Sequence, residues 1–104
     1  MIPATVVVFR RWKENGGIVA LFPELPSDIY GCYCESYEHV GQHSGADYFG
    51  VIQHTVPAKR KEAARLAREL RLIGYKLRPV RRAAWMHHMR RREAAKAYRE
   101  KTPA

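Results

Sequence analysis

The residues best suited to chemistry lie in Cys32-Tyr-Cys-Glu-Ser-Tyr-Glu-His-Val-Gly-Gln-His43, continuing through Ser44-Gly-Ala-Asp47. Cys32, Cys34, His39 and His43 are sulfur and imidazole donors of the kind zinc accepts. Their spacing, C-x-C-x4-H-x3-H, departs from the usual zinc sites, in which two to four residues separate the paired cysteines. On a strand, side chains alternate between faces, so Cys32 and Cys34 go with Ser36 and Glu38. His39 then falls opposite, with Tyr33, Glu35 and Tyr37. Parity therefore separates the thiols from His39, and neither zinc nor any other cofactor is favoured. The same geometry puts the two cysteine Cα atoms about 7 Å apart, at or beyond the usual disulfide range. Free thiols in a reducing compartment fit this arrangement.

Acid–base chemistry is the second possibility in the same region. His39, His43 and His54 lie on or beside neighbouring strands, with Asp47, Tyr37 and Glu38 as orienting partners. A histidine near phosphate-holding cations is enough for a small metal-independent RNase. The competing reading is a rigid glycine-bounded loop whose histidines make structural hydrogen bonds. No argument lowers a thiol pKa here, so a cysteine nucleophile is weaker still. Asn15-Gly-Gly17 reads as a hairpin turn and not as a phosphate-cradling loop.

Charge gives the strongest signal. The chain carries +9 overall, divided as −3 over residues 1–56 and +12 over residues 57–104. Such asymmetry points to a polyanionic partner, either nucleic acid or an acidic protein surface. The contacts expected are Arg78, Arg81, Arg82, Trp85, Arg90, Arg91, Arg92, Lys96 and Arg99. Arginine forks grip phosphates, and the interleaved aromatics stack on bases. Arg90-Arg91-Arg92 wraps most of a helical turn, which favours phosphate contacts over base readout. A membrane-surface role is not expected, because the segment lacks a broad apolar face beyond Met89.

The elements that position these residues follow from periodicity. Thr5–Trp12 is β-branched and aromatic with apolar residues on both faces, as a central strand requires. Lys13–Gly17 supplies a turn, and Ile18–Phe22 returns until Pro23 and Pro26 stop it. Tyr30–Val40 reads as a third strand, Gly41–Gly45 as a loop, and Phe49–Thr55 as a fourth strand. A helix is expected over residues 57–73, opened by Pro57 and closed by Gly74. Its apolar stripe is Ala63, Leu66, Ala67, Leu70 and Ile73. Tyr75–Val80 forms a short edge strand, marked by Pro79. A basic helix follows from Arg82, docked through Trp85, Met86 and Met89 and otherwise projecting as an appendage. The fold class is α+β: a mostly antiparallel sheet of four to five strands, in the order β-β-β-β-α-β, covered by one helix. Residues 1–80 form the core domain and residues 81–104 a basic C-terminal helical extension.

Four segments carry a likeness: Val7–Lys13, Val19–Pro26, Cys34–His43 and Gly74–Arg78. Over about residues 5–80 the chain resembles a family of short bacterial and phage or mobile-element proteins to which no activity is attached. The resemblance implies a bacterial, phage or plasmid setting and a single small domain.

The chain lacks the apolar run of roughly 18 residues that would span a bilayer. Its start lacks the basic region and cleavage site of a signal peptide. A cytoplasmic location is therefore expected. The leading functional expectation is a non-enzymatic accessory protein that binds or associates with nucleic acid, RNA or DNA. The alternatives are a protein-interaction module or inhibitor in host–phage conflict, and the small RNase.

Overall fold

The computed structural model describes residues 3–39 and 42–101. Its centre is β1 (Thr5–Trp12), whose Val6, Val7 and Val8 are each no more than 2% exposed. Burial on both faces demands cover on both, and the chain supplies it. β2 (Ile18–Pro26) returns antiparallel to β1 through a turn closed by the Asn15 side chain, which accepts from the Gly17 amide at 2.8 Å. β3 (Cys34–Glu38) and β4 (Gln42–Ala46) continue the meander. The sheet order is β4-β3-β2-β1-β5, where β5 is Thr55–Pro57.

The open edge of β1 is shared by two short strands. β5 pairs antiparallel with Arg10–Trp12, and β6 (Leu77–Pro79) pairs parallel with Thr5–Val7. The odd-numbered residues of β1 serve this edge. Phe9 O accepts from the Ala58 amide at 3.1 Å, and Val7 O accepts from the Val80 amide at 2.9 Å. Each short strand ends in a proline, which has no N–H to extend a ladder.

Side-chain alternation then divides the core. Val7, Ala20, Phe22 and Tyr37 face α2 (Arg60–Ile73), which buries Leu66 and Leu70 against them. Val8, Val19, Leu21 and Cys34 face the other way, toward Tyr48, Val51 and Ile52 of α1 (Tyr48–His54). This is an α+β fold with a mostly antiparallel sheet, as the sequence leads one to expect. Gly74 ends α2 as anticipated, its amide shared between the Leu70 and Arg71 carbonyls.

Several boundaries differ from expectation. Residues 49–54 form a helix, where a strand is expected from Phe49–Thr55. Val51 and Ile52 favour strands in isolation, but Tyr48, Val51 and Ile52 recur at helical spacing and reach the core. Buried Arg10 secures this helix from below. Its guanidinium donates to Ile52 O at 3.2 Å, Thr55 O at 2.9 Å and Thr55 Oγ1 at 2.9 Å. A fixed charge thus satisfies carbonyls that a helix end leaves open. Pro57 closes β5 and does not open α2, which starts three residues later. Gln42–Ala46 is a strand within the expected loop, and β3 begins only at Cys34. Residues 27–33 turn instead around Asp28, whose carboxylate accepts from the Tyr33 amide at 2.9 Å and the Tyr30 amide at 3.3 Å. The Tyr33 hydrogen bond is the main cause holding the Asp28 carboxyl below its usual pKa.

The largest correction concerns α3 (Trp85–Lys101). Trp85, Met86 and Met89, expected to dock it, are 69%, 55% and 40% exposed. The buried stripe is His87, His88, Arg91 and Ala95. The helix therefore lies along the sheet as a second cover and is not an appendage. Arg91 sits in the seam: Nε donates to Gly31 O at 2.9 Å, and Nη1 donates to Pro23 O and His88 Nδ1, each at 2.8 Å. Gly31 has φ +73°, and a Cβ there would lie 3.1 Å from both Ala95 Cβ and Arg91 O. Only glycine combines that backbone with that approach. Farther along, Arg99 donates to Ile29 O at 2.7 Å and lies over the Tyr30 ring.

Two tests follow. Arg91→Ala orphans two buried carbonyls, so it is expected to cost about 3 kcal/mol in urea denaturation. Arg90→Ala removes an exposed pair with Glu24 and is expected to cost less than about 1 kcal/mol. Equal effects would contradict the docking of α3 through Arg91. Second, His88 accepts from Arg91, so its ring is neutral. Burial first, then the charge of Arg91, lower its pKa from 6.5. A lowered folded pKa means the unfolded chain binds the extra proton. Thermal stability should be level above about pH 7 and fall as pH drops through 6.5 toward the folded value. His88→Asn should flatten that part of the profile.

Candidate nucleic-acid interface

On α2 the acids and the groove-facing arginines lie on different flanks, with Lys61 and Arg65 between them. At 100° per residue, Glu62 and Glu69 lie on one side of the helix, while Arg60, Ala64, Arg68 and Arg71 share the other. The acids are engaged locally. Glu62 accepts from the Lys59 amide at 2.8 Å and pairs with Arg11 at 3.2 Å. Glu69 accepts from Tyr37 Oη at 2.6 Å and lies 2.8 Å from His39 Nδ1.

The arginine flank faces the shared edge of β1. There a groove of about 1030 Å³ opens between α2 and the facing ends of β5 and β6. Its floor is Phe9, Ala63, Ala67 and Val80, with Pro57 and Pro79 at the mouth. Small alanines on the helix leave the space unfilled. Arg60, Arg68 and Arg71 from α2 and Arg81 from beyond β6 form the rim, all exposed. No carboxylate lines the groove, and none of the four arginines forms an ion pair among the described residues. Such a rim presents planar donor forks suited to phosphate, over a floor suited to apolar faces.

The expected contacts are distributed differently. Arg81 lines the groove, while Arg78 and Arg82 are exposed on either side of it in sequence. Trp85 and Arg92 are exposed on α3. Arg90 is held by Glu24 at 2.9 Å, Lys96 lies 4.0 Å from Glu100, and Arg99 is bound to Ile29 O. Arg91, expected to grip phosphate, is 3% exposed and committed to the seam. Arg60, Arg68 and Arg71 were absent from the expected interface. Their signal was their shared spacing with Ala64, on a helix otherwise read for its apolar stripe.

The cysteine–histidine stretch separates, Cys34 by strand parity and Cys32 because it lies outside the strand. Cys34 is fully buried in the α1/α3 face, and Cys32 lies exposed before the strand begins. His43 pairs across β3 and β4 with Tyr37, meets its ring edge-on at 4.7 Å, and lies 3.1 Å from Tyr75 Oη. Burial, and secondarily Glu35, raise the Tyr75 pKa. His39 and His43 thus share the α2 face of the hairpin with Tyr37 and Glu69, and neither comes to Cys34. No group of three or more His, Cys, Asp or Glu able to hold a metal occurs among the described residues. Asp47 is the N-cap residue of α1 but its side chain makes no capping hydrogen bond among the described residues, and His54 ends that helix beside Trp12, Lys13 and Glu14. The four expected acid–base candidates therefore do not converge. Glu69 and the groove arginines also occupy opposite flanks of α2, which separates His39 from the groove.

No protein-family model, curated protein or solved structure matches the chain. No helix among the described residues is long and apolar enough to cross a membrane.

Burial pushes the Cys34 thiol up to about 11, leaving little of the reactive thiolate near neutral pH. A thiol reagent at pH 7.5 should therefore label Cys32 promptly in the native protein and Cys34 only after denaturation. Prompt labelling of both would contradict the placement of Cys34.

Proposed function

We propose that this protein is a small basic nucleic-acid-binding accessory protein that acts by binding and not by catalysis. The observation that carries the reading is the groove between α2 and the shared edge of β1: among the described residues, four arginines without ion pairs, an apolar floor and no carboxylate. It lies in the half of the chain that carries +12. Exposed Arg78 and Arg82 extend the positive surface beside it. A phage or mobile-element setting, which the sequence resemblance implies, and a cytoplasmic location belong to the same proposal.

Exposed apolar residues favour a second reading, a protein-interaction module or inhibitor in host–phage conflict. Trp85, Met86 and Met89 at the start of α3, with Phe49 of α1 5.0 Å from the His88 ring, leave hydrophobic surface open. A single stoichiometric protein partner, retained after nuclease treatment, would favour this reading.

The deciding experiment is salt-titrated binding of the full chain to oligonucleotides. Truncation of α3 is unsuitable, because that helix is part of the packed fold. Four phosphate contacts give a slope of log K against log salt of about −3 on single strands. Arg68→Gln combined with Arg71→Gln should weaken binding and make the slope shallower by roughly 0.7 per residue. Both side chains are exposed, so stability should change by less than about 0.5 kcal/mol. Absence of binding at low salt, or binding indifferent to both substitutions, would overturn the reading.

A further inference from the structure

Resting on the nucleic-acid reading of the groove, we infer that its occupant is a single strand and not a duplex, and that the strand continues from the groove onto Trp85. The groove is concave, with arginines on the rim and apolar atoms below. A duplex offers the reverse arrangement, with phosphates outside and bases stacked within. Its direct readout needs a helix or ribbon that projects into a groove of the nucleic acid. The arginine flank of α2 forms the wall of a recess. A duplex resting on that rim would leave Phe9, Ala63, Ala67 and Val80 wet beneath it. A single strand can turn its bases inward, place their apolar faces on that floor, and leave each phosphate to an arginine fork. The volume, about 1030 Å³, is at the upper end of the roughly 300–1,000 Å³ of clefts that enclose small organic molecules. It therefore accommodates unstacked bases.

A second observation extends the path. Arg81 on the rim is followed by exposed Arg82, and the chain reaches Trp85 four residues later. Backbone length places the Cα atoms of Arg81 and Trp85 within about 14 Å of each other. Trp85 is 69% exposed. An exposed indole beside cations is the sequence-tolerant stacking platform of single-strand binders. Trp12 is different: it is part-buried, and its Nε1 donates to Glu38 at 2.6 Å.

The test uses the full chain and four probes of one mixed sequence: single-stranded DNA, single-stranded RNA and the duplex of each. Binding is followed by fluorescence anisotropy at fixed salt. Single strands of either sugar should bind at least tenfold more tightly than the duplexes, and the tighter arm identifies the sugar. Ala64→Leu fills exposed groove space without altering charge. It should weaken single-strand binding several-fold at an unchanged salt slope, with thermal stability retained. Trp85→Ala should weaken it by about 5- to 150-fold, the range for loss of one base–aromatic stack. In a Trp12→Phe protein, single strands should quench the remaining Trp85 emission. Duplex binding as tight as single-strand binding, or unchanged affinity in the Ala64→Leu protein, would overturn the single-strand assignment. Unchanged affinity in the Trp85→Ala protein would overturn its extension onto α3. These outcomes differ from failure of the nucleic-acid reading itself, in which no probe binds or the Arg68 and Arg71 substitutions have no effect.

Discussion

A strand with no dry side to spare sets the terms for this molecule. β1 carries valines on both faces and backbone donors and acceptors on both edges, all of which must be removed from water together. One face is covered by α2, the other by α1 with Val80 and Ala83, and one edge by β2. The remaining edge is completed by two pieces from distant parts of the sequence. Because both end in proline, neither can run on past the other, and the edge has a seam opposite Phe9. The groove is the surface expression of that seam. Its position therefore follows from the requirement to close β1.

Arginine performs opposite tasks in different parts of the chain. Arg10 and Arg91 are buried and spend their donors on backbone carbonyls, one holding α1 and the other joining the turn at Gly31 to α3. Those of the α2 flank are exposed and without carboxylate partners. A net charge of +9 thus overstates the surface available to a polyanion, because part of it is internal structure. Yet it understates the local density at the groove, since the acids of α2 are drawn to the other flank by Arg11, Tyr37 and His39.

Legibility in the sequence tracked hydrophobic contrast. Thr5–Trp12, its hairpin partner and the α2 stripe ending at Gly74 were readable because burial there falls on apolar residues at regular spacing. Strand parity also placed His39 correctly, opposite Cys34 and on the side of Tyr37. The failures occur where polar residues carry the packing. His88, Arg91 and Ala95 recur at helical spacing, but a charged residue in that stripe hides it from any hydropathy pattern. Tyr48–His54 was misread because β-branched Val51 and Ile52 suggest a strand, while a distant Arg10 stabilises the helix. The groove itself was invisible. Phe9, Pro57, Ala64 and Arg81 become neighbours only through pairing at the edge of β1, and no local window contains them.

The seam also has a consequence for how the chain assembles. β1 to β4 form a meander of sequence neighbours, whose contacts close short loops and form early. The edge opposite β2 stays bare until the chain has been made as far as β6, and a bare edge is a template for unwanted pairing. Pro57 and Pro79 blunt the two strands that finally cover it. A ligand touching both sides of the groove recognises only the closed edge, and by mass action it draws the chain toward the completed sheet. Occupancy and the last step of folding are in that sense one equilibrium.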